Sequence, residues 1–128
     1  MDTRKRILIV DDYDFWRFCV AAILRDHPEF VIVGECCDGS EAVEMSRDLQ
    51  PDIVLMDLAL PALSRFEAAR QIRKVSSDSR IIFFCHARND ELVNEARNIG
   101  AQGFVSKMDG KLKLVPAMRT VLAGFWYS

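Results

Sequence analysis

No apolar run in this 128-residue chain approaches the ~18 residues that a membrane-spanning helix requires, so a bilayer segment is excluded from these residues. The polar start, Met1 to Arg6, leads straight into an apolar run too short for the core of a secretory signal, and residence in the cytoplasm is the expectation. Paired C-x-x-C spacing is also missing. The four cysteines, Cys19, Cys36, Cys37 and Cys85, therefore read as reduced and mostly buried thiols rather than as zinc or redox ligands. Charge of one sign is lacking too. Seventeen basic against nineteen acidic residues give a formal charge of −2, and no global positive field draws the chain to nucleic acid or acidic lipid. There is no internal repeat and no low-complexity stretch.

What is present is a soluble globular balance, 50% hydrophobic and 28% charged, in a chain long enough to bury one core without disulfides. Apolar, β-branched runs recur at Ile7 to Val10, Phe30 to Val33, Ile53 to Met56, Ile81 to Phe84 and Gly103 to Val105. Runs apolar on both faces are the pattern of strands inside a parallel sheet. The segments between them carry helical signals. Trp16, Cys19, Val20 and Ile23 form one stripe, Leu92, Ala96 and Ile99 line a fourth helix closed by Gly100, and Leu112 to Ala123 supplies a fifth ended by Gly124. Asp38 with Glu41, and Ser64 with Glu67, have the spacing of capping boxes that open the second and third helices. Pro116 is best accommodated in the first turn of the fifth helix. Five alternating strand–helix units imply an α/β, doubly wound parallel sheet with helices on both faces and right-handed crossovers.

In such sheets ligands bind beyond the carboxyl ends of the strands. Asp11 and Asp12 follow the first run, Asp57 the third, Cys85 the fourth, and Lys107 lies just past the fifth. Three carboxylates within roughly 4–5 Å of one another would repel pairwise by about 3–4 kcal/mol at an effective dielectric near 20. Either one acid keeps its proton or a hard dication binds the oxygens. Magnesium takes one or two protein carboxylates with water and phosphate oxygens, and a lysine nearby can neutralise phosphate as a point charge. Asp57 is the best candidate nucleophile for an acyl phosphate. Taken alone, adjacent aspartates are as often a solvated turn or cap, and Cys85 reads as a small core hydrophobe. His86 is the one nearby base, and the plain reading is kept for it as well.

These residues resemble the receiver domains of two-component response regulators over nearly the whole chain. ILIVDD is similar to the family's first strand and acidic pair, PDIVLMDLALP to its phosphoacceptor strand and following loop, and GAQGFVSK to its fifth strand with aromatic and lysine. The resemblance implies a flavodoxin-like (βα)5 fold with strand order 2-1-3-4-5. It implies a receiver over residues 1–124, with 125–128 starting a linker or C-terminal tail. It further implies that Asp57 accepts a phosphoryl group from a sensor histidine kinase or phosphotransfer protein. Mg2+ or Mn2+ would be held by Asp12, Asp57 and the Ala59 carbonyl, with Asp11 assisting through water. Lys107 would grip the phosphate, and Cys85 and Phe104 stand at the switch positions. The family usually has Ser or Thr at Cys85, and a thiol is a weak donor. Arg65 stands where the family commonly has glycine. AMRTVLAG is similar to the subgroup whose receiver precedes a LuxR-type helix-turn-helix, so DNA contact and transcription control would come only through an output domain absent from these residues.

Two readings follow: a phosphorylation switch, not a metabolic enzyme, and a degenerate receiver that docks without phosphate. An aspartate-nucleophile phosphatase would need a second acid two residues past Asp57, where Ala59 stands, and flavin binding ranks behind both. Phe18 and the closing Phe125-Trp126-Tyr127 are candidates for an apolar patch on the first and fifth helices that would serve a homodimer or a following domain.

Overall fold

The computed structural model describes residues 1–59 and 66–128. Strands β1 (Lys5–Val10), β2 (Phe30–Cys36), β3 (Ile53–Met56), β4 (Arg80–Cys85) and β5 (Gly103–Ser106) alternate with helices α1 (Asp14–Leu24), α2 (Gly39–Leu49), α3 (Glu67–Val75), α4 (Asp90–Asn98) and α5 (Gly110–Leu122). All strand pairs are parallel, as expected from the residues for a doubly wound sheet, and they run in the order β2-β1-β3-β4-β5 that the resemblance implied.

Strand alternation sends successive side chains to opposite faces, and each face has its own core. Leu8, Val10, Val54, Met56, Ile81 and Phe83 pack with Ala42 and Val43 of α2, Ala69 and Ile72 of α3, and Leu92 and Ala96 of α4. Ile7, Ile9, Ile53, Leu55, Ile82 and Phe84 pack with Val20 and Leu24 of α1 and with Leu114, Met118 and Val121 of α5. Burial on both faces is why β1, β3 and β4 read as continuous apolar runs. At the edge, β2 continues to Cys36, beyond the apolar run that ends at Val33, because an edge strand can turn the polar, exposed Glu35 to solvent while still pairing with β1.

The Asp38 side chain caps α2 by accepting from the Glu41 N–H at 2.8 Å, and Asn89, not anticipated from the sequence, caps α4 by accepting from the Leu92 N–H at 2.9 Å. Gly100 and Gly124 both take left-handed φ values, 98° and 94°, past the ends of α4 and α5. Ser64, Arg65 and the Pro61 loop lie outside the described residues. Pro116 departs from expectation and sits inside α5. The single turn at Lys107–Asp109 runs directly into a helix that starts at Gly110, earlier than the apolar spacing indicated. The bond that Pro116 forfeits would run to Leu112, an exposed position where water can serve the carbonyl.

Beyond α5 the chain returns to the sheet. Tyr127 bridges Gly103 in parallel; its carbonyl accepts from the Phe104 N–H at 2.9 Å and its N–H donates to Gln102 at 3.1 Å. This pairing occupies the outer edge of β5. Trp126 packs on the α4 side, with the Arg97 guanidinium 5.2 Å from its ring centre, while Tyr127 packs on the α1/α5 side. The closing aromatics are thus divided between the two cores, so Trp126 and Tyr127 do not gather with the exposed Phe18 in one patch.

Candidate functional site

The carboxyl ends of β1, β3 and β5 deliver the acids and the lysine to one place. The backbone holds the ends level, since the Asp57 N–H donates to Val10 at 3.0 Å and the Asp11 N–H to Cys36 at 3.1 Å. Asp11 and Asp57 are buried and Asp12 is exposed, yet each of the three offers an oxygen within 4.8 Å of the others. Lys107, 4% exposed, places Nζ 2.7 Å from Asp11 Oδ2 and 3.0 Å from Asp57 Oδ2. The second oxygens are also engaged: Tyr13 N–H donates to Asp11 Oδ1 at 3.0 Å and Ala59 N–H to Asp57 Oδ1 at 3.1 Å.

Among the described residues, one ammonium meets three carboxylates, which leaves their cluster short of positive charge. Burial pushes the Asp11 carboxyl up, against the hydrogen bonds from Lys107 and Tyr13 and the charge of Lys107. For Lys107, burial works against the ammonium, but hydrogen bonds to Asp11 and Asp57 and their charges outweigh it, and its pKa is raised. A hard dication fits this donor set. Two or three anionic oxygens with one exposed face suit magnesium or manganese, and no soft ligand is among them.

The raised Asp11 carboxyl has a definite consequence for pH dependence. An acid whose folded pKa exceeds its unfolded value binds protons more tightly when folded, so stability is lost as pH rises from about 3.9 to the folded value. With divalent ions chelated, urea midpoints of the parent should fall over that window, and Asp11→Asn should flatten the fall. An unchanged slope in the variant would assign the effect elsewhere.

The switch candidates lie close by. Cys85 ends β4 fully buried; burial pushes its thiol up to about 12 even though the Leu58 N–H is directed at it, so it stays a neutral thiol. Phe104 is wholly buried, its ring centre 6.5 Å from that of Phe83, and the Arg88 guanidinium lies 5.6 Å over it. Two residues at the pocket were given no site role from the sequence. Trp16, assigned to the α1 stripe, has Lys107 Nζ 5.0 Å from its ring centre, and His86 meets the Trp16 ring edge-on at 5.0 Å. The available signal was position: Trp16 is four residues past Asp12 and His86 is the first residue beyond β4.

Residues 7–119 match the family model described as the response regulator receiver domain. The chain belongs to that family. This receiver is 33% identical to the transcriptional regulatory protein LiaR of Bacillus subtilis over 93% of its own length and 56% of LiaR's. It is 34% identical to the chemotaxis protein CheY of Halobacterium salinarum over 92% of the chain and 97% of that protein. The crystal structure of a LuxR-family two-component response regulator from Aurantimonas sp. SI85-9A1 superposes with a TM-score of 0.91 at 34% identity, covering 98% of this chain and 89% of that one. The receiver thus spans about half the length of LiaR-like relatives. Among its described residues no helix is long and apolar enough to cross a membrane.

Proposed function

We propose that this receiver takes a phosphoryl group on Asp57 from a sensor histidine kinase or phosphotransfer protein and thereby alters its surface. The observation that carries the reading is the Lys107 ammonium, fixed within 3.0 Å of the Asp57 carboxylate inside an acid cluster that demands more positive charge. Asp12, Asp57 and the Ala59 carbonyl would hold Mg2+ or Mn2+, with Asp11 assisting. The bound ion would supply neutralisation of phosphoryl charge. A carboxylate oxygen of Asp57 attacks phosphorus, and the bond from phosphorus to the donor's imidazole nitrogen breaks, its electron pair leaving with the donor. Lys107 then has a phosphoryl oxygen to pair with in place of one carboxylate.

Control of transcription belongs to this reading only through a helix-turn-helix output domain, as the likeness to LuxR-family receivers suggests. Exposed Phe15 and Phe18 on α1 and Leu112 on α5 would be the apolar contacts of a homodimer. A second reading, docking without phosphate, is favoured by the neutral Cys85 thiol and by a Phe104 ring that is already buried. Incubation with acetyl phosphate and Mg2+, read by intact mass, separates them. The switch reading expects a phosphoryl adduct that chelation prevents and Asp57→Asn abolishes; no adduct on the parent supports docking.

A further inference from the structure

We propose that the His86 imidazole donates a hydrogen bond to the phosphoryl group on Asp57, supplying a contact that the Cys85 thiol cannot. This rests on the phosphoacceptor reading above. Two cavities, of about 210 and 290 Å3, flank Asp57. One is lined by Leu58, Ala59, Cys85 and Leu92, the other by Asp11, Asp12, Trp16 and Lys107, and among the described residues only Asp57 and His86 belong to both. His86 therefore stands on the wall that a group attached to Asp57 would share.

The chemistry of the wall points the same way. A phosphoryl group presents three acceptor oxygens. Lys107 answers from the β5 side, whereas the β4 side offers a buried thiol, a poor donor. The next residue is an exposed imidazole, which carries at least one ring N–H in either charge state. Among the described residues no protein group accepts from that ring; its neighbour is the indole of Trp16, edge-on at 5.0 Å. That indole also faces the Lys107 ammonium, so one aromatic ring locates both donors. The imidazole is not part of the carboxylate cluster whose oxygens lie within 4.8 Å of one another, which leaves it for the phosphoryl side rather than the cation.

Three variants separate donation from packing. His86→Phe keeps an aromatic edge against Trp16 and has no N–H, while His86→Asn and His86→Gln place an amide N–H near the reach of Nδ1 and Nε2. At limiting acetyl phosphate with Mg2+, His86→Phe should acquire label about tenfold more slowly than the parent, the scale of one charge-assisted hydrogen bond. At least one amide variant should recover most of the rate, with melting temperatures confirming that all are folded. Parent-like labelling of His86→Phe, or amide variants both as slow as His86→Phe, would overturn the inference while leaving Asp57 as acceptor. An unlabelled parent would overturn both.

Discussion

Lys107→Met is expected to lower the stability of the folded chain by about 3–5 kcal/mol at neutral pH and to abolish labelling of Asp57. Methionine retains an unbranched apolar stem beside Trp16, so the change is chiefly electrostatic. In the parent, Nζ lies between Asp11 and Asp57, with a side chain 1% exposed against 5% and 11% for its partners. Removing one member of a buried ionic group leaves uncompensated charge, which costs far more than an exposed pair contributes. The sign with pH is also determined. Without the ammonium, burial raises the Asp11 carboxyl with no opposing bond or charge from Lys107, and the variant should regain stability as pH falls from 7 towards 5. Magnesium should restore part of the loss, since any ligand that binds only the folded state stabilises it by mass action. Urea denaturation at the two pH values, with and without Mg2+, reads all three effects. A loss below about 1 kcal/mol with no pH dependence would mean that water reaches the acids and screens them.

Phe83→Ala should cost about 3–5 kcal/mol, enough to leave a domain of ordinary stability marginal. Phe83 is wholly buried on β4, between β3 and β5, with ring centres of Phe66 at 5.5 Å and Phe104 at 6.5 Å. Truncation removes the transfer term of the ring and opens a cavity that a hydrogen-bonded sheet cannot collapse to fill. Phe83→Leu refills much of the volume and should lose markedly less. Because Phe83 faces away from Lys107 and Trp16, the folded fraction of Phe83→Ala should still label on Asp57. Thermal unfolding with parallel labelling checks both statements; a midpoint within a few degrees of the parent would show that α3 and α4 close over the gap.

Much of this was legible in the residues because parallel strands buried on both faces leave an unambiguous mark. Ile7 to Val10, Ile53 to Met56 and Ile81 to Phe84 had to be interior, and the polar residues following them had to lie at one end of the sheet. Periodicity was less informative where tertiary contact overrides it. Nothing in the spacing of α5 says that the turn at Lys107–Asp109 carries the helix back to Gly110, and so Pro116 was misplaced within it. The Tyr127 pairing was equally hidden, since an edge contact of one residue has no periodic signature.

The residues by themselves determined which side chains could do chemistry. Carboxylates after two buried strands and a lysine after a third admit few arrangements, because strand direction in a parallel sheet brings every carboxyl end to the same side. The tertiary structure alone decided how those groups share charge and what stands over them. That Lys107 bridges Asp11 and Asp57, that Asp12 is the exposed acid, and that Trp16 and His86 wall the pocket depend on how α1 and the β4 end pack. Such contacts join residues far apart in the chain, and no local spacing rule encodes a distance between them.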